Sequence, residues 1–103
     1  MVISCIFSYP PQRVKEYAER VRELSPLPEY INIKGPYINR TAREGIITVA
    51  IYEFNEVKFP EASRYIFNLL GTFQGMPGFT CSTQVWAETK EALKFARFVR
   101  NSG

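Results

Sequence analysis

The chain has 103 residues, 46% hydrophobic and 22% charged, which suits one folded domain with one core and leaves no room for a second. It contains no histidine and no aspartate, so imidazole-based hydrolytic, zinc and haem-ligating sites are excluded. A formal charge of +3, with basic residues scattered among glutamates, permits an anionic partner without requiring one.

Val2 to Tyr9 is a β-branched and aromatic run that stops at Pro10-Pro11, a pair that cannot continue a central strand but suits the first turn of a helix. From Pro11 to Leu24, apolar residues at Val14, Tyr17, Ala18, Val21 and Leu24 make one helical stripe, with Arg13, Glu16, Glu19, Arg20 and Glu23 outside it. Ser25-Pro26-Leu27-Pro28 breaks that helix. Glu29 to Ile33 then reads as extended, with a turn expected at Gly35-Pro36 and a charged connection over Arg40 to Glu44. Gly45 opens the best strand pattern, Ile46 to Phe54. Glu61 to Phe73 carries Ala62, Tyr65, Ile66, Leu69, Leu70 and Phe73 at helical spacing, and Gly75-Met76-Pro77-Gly78 is a turn cluster. Phe79 to Ala87 reads as a last strand, followed by a helix over Lys90 to Arg100 capped by Thr89.

The order β-α-β-β-α-β plus a C-terminal helix predicts an α+β, ferredoxin-like plait in one domain spanning 1–103: a four-stranded antiparallel sheet with two helices on one face. Splitting each strand by parity predicts that Ile3, Cys5, Phe7, Ile47, Val49, Ile51, Cys81, Thr83 and Val85 face the helices. The opposite, open face would then hold Ser4, Ile6, Thr48, Tyr52, Gln84 and Trp86, with Lys34 from the second strand. Such a mixture of rings, hydroxyls and an amide is too apolar to be left wet, which points to a covering partner or ligand.

In strand order, length, the Ile46–Phe54 strand followed by Pro60-Glu61-Ala62, and the Met76-Pro77-Gly78-Phe79 turn, residues 1–88 resemble the dimeric α/β-barrel superfamily. Its members include antibiotic-biosynthesis-monooxygenase-like, muconolactone-isomerase-like and stress-responsive barrel domains. The resemblance implies a homodimer whose two open sheet faces meet and enclose a pocket. Many catalytic members use a pocket histidine, and this chain has none. Cofactor-free oxygenation of an activated aromatic substrate is an activity that the resemblance leaves available.

The expected ligand-binding residues are Ser4, Thr48, Tyr52, Gln84 and Trp86, the rings stacking on a small aromatic or carboxylated molecule and the polar groups orienting it. Lys34 and Arg40, near Arg43, could add an anion clamp, although a solvated loop accounts for them as well. No acid-base constellation is visible, so no catalytic residue is assigned and no cofactor or metal is expected. Whether the protein is an enzyme stays open. Cys5 and Cys81 read as small apolar residues in a reducing compartment, and with no signal-peptide pattern or membrane-length apolar run a cytoplasmic location is expected. Two other readings stand beside the ligand-binding homodimer. One is a regulatory or assembly domain without ligand. The other is an RNA-recognition-like module, which Ile46, Thr48 and Ala50 disfavour because stacking rings belong at those places.

Overall fold

The computed structural model describes residues 1–43, 45–90 and 92–93. β1 (Val2–Tyr9) leads through a 3₁₀ turn at Pro11–Arg13 into α1 (Val14–Val21); β2 (Asn32–Thr41) and β3 (Gly45–Glu53) form a hairpin; α2 (Phe59–Thr72) and β4 (Thr80–Trp86) complete the order. The sheet is antiparallel throughout, in the order β2-β3-β1-β4. This α+β arrangement of two helices on one face of a four-stranded sheet is compatible with a ferredoxin-like plait. The last helix begins at Thr89–Lys90, where the Ala92 amide donates to the Glu88 carbonyl at 3.0 Å; its expected continuation to Arg100 lies outside the described residues. Among the described residues no helix is long and apolar enough to cross a membrane.

Two local expectations change. Gly35-Pro36 does not end the second strand but forms a bulge within it, between Lys34 and Tyr37, with a cis peptide bond and Gly35 at φ 96°. A Cβ at Gly35 would lie 2.9 Å from the Val49 carbonyl, so the close approach to β3 selects glycine. The first helix also starts later than its stripe suggested, because the Pro11 turn is wound as 3₁₀ before Val14.

The core lies between the sheet and α2. Ile3, Cys5 and Phe7 of β1 pack with Ala50 and Tyr52 of β3 beneath Ala62, Ile66 and Leu69 of α2, and Phe73 closes one end. The parity expected for β1 and β4 holds, but that of β3 is reversed. Cross-strand partners share a face, and the pairs Ile3↔Tyr52, Cys5↔Ala50 and Phe7↔Thr48 put Thr48, Ala50 and Tyr52 under the helices. Ile47, Val49 and Ile51 instead pair with Ser8, Ile6 and Ser4 on the open face. The physical reason is that β3 is apolar on both sides, so its own pattern cannot choose a face; the pairing with β1 does.

α1 behaves differently from α2. It buries no residue fully, and Val14 and Val21 remain 44% and 39% exposed although its charges are segregated from its apolar stripe. The helix therefore stands away from the sheet margin, where Ile33 and Ile38 of β2 are also exposed.

Candidate functional site

The space beneath α1 is an apolar cleft of about 650 Å³, within the size range of small-molecule sites. One wall is the α1 stripe of Val14, Tyr17, Ala18 and Val21; the opposite margin is Ile33, Pro36 and Ile38 of β2; the floor is Tyr9, Thr48, Ala50 and Tyr52. Aromatic rings make the inner end. Tyr9 stacks on Tyr17 at 4.3 Å between centroids and Tyr17 on Phe73 at 5.0 Å, and Phe73 continues onto Phe79 at 5.2 Å. At the other end the Tyr65 hydroxyl donates to the Ser25 carbonyl at 3.1 Å, tying the chain after α1 to α2.

Polar groups are few. Arg22 is the one charged side chain on the described walls and stands exposed at the rim. Thr48 is 1% exposed, its hydroxyl shut away from solvent beside the phenols of Tyr9 and Tyr17. Burial raises the phenols of Tyr9 and Tyr17 above their ordinary range, an effect the nearby Thr48 hydroxyl partly offsets and, at Tyr17, the neighbouring Tyr9 reinforces. Tyr52 is raised further, chiefly by burial and then by Cys5 and other nearby acidic groups. All three phenols are therefore neutral at physiological pH and serve as hydrogen-bonding groups, not as bases.

The sequence-predicted site residues do not converge. Thr48 and Tyr52 belong to this cleft, on the helix side. Ser4, Gln84, Trp86 and Lys34 lie on the open face, one sheet thickness away. There the Trp86 Nε1–H donates to Ser4 Oγ at 2.8 Å, so the ring is held by its own sheet, and Gln84 pairs across from the same Ser4. Lys34 forms an ion pair with Glu53 at 3.5 Å, both side chains largely exposed. Arg40 sits beside Arg43 at a shallow depression lined by Pro10, Pro11 and Gly78, away from Lys34 and from the cleft, so the two do not make one anion clamp. Tyr9, Tyr17 and Phe73 were missed as site residues. Their signal, a phenol within each apolar stripe, reads equally well as core, and only the stand-off of α1 separates the two meanings.

The open face carries a different character from the one expected. With Ile47, Val49 and Ile51 moved onto it beside Ile6, which is 45% exposed, and Trp86, which is 52% exposed, it is a broad apolar surface with a seam of Ser4, Ser8, Thr80, Ser82 and Gln84. Ser8 and Thr80 bridge across that seam through their hydroxyls.

No family model matches the chain, and no curated protein matches it. Among solved structures, the de novo designed protein Foldit4 is similar over 84% of this chain and 96% of its own length, at 15% identity and a TM-score of 0.43. A likeness at that level carries no argument about function.

Proposed function

We propose that this protein is a binding domain that holds a small, largely apolar molecule in the cleft between α1 and the sheet, and that two copies pair through their open sheet faces. The observation that carries the first part is the cleft itself: a space of about 650 Å³ faced on one side by the uncovered stripe of α1 and on the other by Tyr9, Thr48, Ala50 and Tyr52. Filling it would remove apolar area of both helix and strand from water, which stabilises a complex in proportion to that area. The ligand reading is thus kept from the sequence, but moved from the open face to the helix side. It stops at binding, since the titratable groups on the described walls are neutral phenols and one rim arginine.

The second part rests on the apolar surface of Ile6, Ile47, Val49, Ile51 and Trp86, which no element of the described chain covers. An uncovered apolar face of this kind marks an interaction surface, and the sequence resemblance to dimeric α/β barrels makes a second copy the partner.

The test of the ligand reading is a titration of the protein with indane, followed by amide chemical shifts. Binding should move the resonances of α1 and of Tyr9, Thr48 and Tyr52, and Ala18→Phe, which puts a ring into the cleft from the α1 stripe, should abolish it. Shifts confined to the open face would overturn the cleft assignment.

A further inference from the structure

The arginines of α1 have two different situations. Glu16 is held by Arg13 at 3.3 Å and by Arg20 at 3.0 Å, and Arg20 also donates to the Thr72 and Gln74 carbonyls, which fastens the helix to the end of α2. Arg22 forms no ion pair with a described carboxylate and stands at the mouth of the cleft. It follows Ala18 by one turn on the same flank of the helix, and helical side chains lean toward the N-terminus, so its guanidinium is carried back over the mouth. The interior makes the opposite demand. Tyr9, Tyr17, Ala50, Tyr52 and Phe73 line it, and burial there holds the phenols of Tyr9, Tyr17 and Tyr52 against ionisation. The same desolvation penalises any charge that a ligand brings to the floor. A ligand with one negative charge therefore has one orientation open to it, the apolar body against the ring stack and the charge at the mouth.

We propose that the ligand of this cleft is an amphipathic monoanion, a flat apolar body with a single carboxylate that Arg22 holds at the mouth. The proposal rests on the cleft-binding reading above and adds the chemical class and the orientation of the occupant. Arginine suits the place because its planar fork takes both oxygens of a carboxylate. The α1 stripe and the ring stack supply the apolar contact, and Arg22 chooses among bodies of equal shape by their charge.

The experiment compares three probes of one skeleton by amide chemical shifts: indane, indane-2-carboxylate and 2-aminoindane, the last as its ammonium form. At low salt the wild-type protein should bind the carboxylate about threefold more tightly than indane, the worth of one solvent-exposed ion pair, and the ammonium more weakly than indane. Salt at about 1 M should remove most of that difference. Arg22→Gln should bring the carboxylate down to the affinity of indane and leave indane itself unchanged. Lys15→Gln, the same loss of charge on α1 but away from the cleft walls, should keep the preference. If the carboxylate and indane bind wild type equally, or if the preference survives in Arg22→Gln, the role of Arg22 and the anionic class are overturned while the cleft reading stands. Carboxylate-induced shifts gathered at Arg40 and Arg43 would overturn the proposal in the same way, by placing the anion in the depression beside Pro10 and Pro11. Failure of all three probes to bind would overturn the cleft reading and this proposal together.

Discussion

Thr48 and Cys5 are diagonal neighbours on the buried face of β3 and β1, and each makes a testable demand on stability. Thr48→Val removes the hydroxyl beside the Tyr9 and Tyr17 phenols and should lower stability by about 1 kcal/mol, seen as a lower urea midpoint at unchanged slope, the net worth of one hydrogen bond. Thr48→Ser should not. Burial, reinforced by Cys81, pushes the Cys5 thiol from its unperturbed 9.0 up to about 12. The folded state thus keeps a proton that the unfolded chain releases above pH 9, so this contribution is fully present below pH 9 and is lost as pH rises toward 12. The urea midpoint should be level between about pH 7 and 8 and fall steadily above about pH 9. In Cys5→Ala that fall should be shallower. Tyr52, raised in the same sense, adds its own loss above pH 10. Cys5 as a buried thiol was legible from its alternation with Ile3 and Phe7. The site role of Thr48 was legible only as a residue type, since its face depended on a partner strand.

α1 and α2 have similar amphipathic patterns and different fates. α2 buries Ala62, Ile66 and Leu69 over β1 and β3, whereas α1 lies over the cleft, held by the Tyr17 ring and by Arg20, which donates to the Thr72 and Gln74 carbonyls. Short helices draw most of their stability from packing, so α1 should be the less protected of the two in hydrogen exchange. Its amides should exchange markedly faster than those of α2 at neutral pH, and saturating indane should slow α1 alone. Equal protection of both helices without ligand would mean that α1 is already packed down. The strands separate in the same way. β1 alternates cleanly and was read correctly; β3, apolar on both faces, took its orientation from the Ile3↔Tyr52 register. The bulge at Gly35-Pro36 looked like a turn in the sequence because Gly-Pro serves in both, and only the pairing of Tyr37 with Val49 beyond it shows that β2 continues.

At the scale of the molecule, the sheet has one face under helices and one that no described element covers, and that open face carries the larger aliphatic residues of β3. A dimer formed there should give a solution mass near 24 kDa by light scattering, twice the chain mass of 11.9 kDa. Ile6→Lys, at a side chain already 45% exposed, should return it to the monomer mass while leaving the urea midpoint of the monomer nearly unchanged. A wild-type protein that stays monomeric at high concentration would leave the face to another partner. The sequence by itself determined the number and kind of elements through β4, the antiparallel α+β class, the buried side of β1 and the exclusion of imidazole chemistry, because these follow from local periodicity, turn residues and composition. The face taken by β3, the gap left under α1 and hence the position of the cleft were decided only in the tertiary structure. Those depend on which residues meet across strands and on how closely a helix settles onto a sheet, and neither is encoded in the spacing of any one segment.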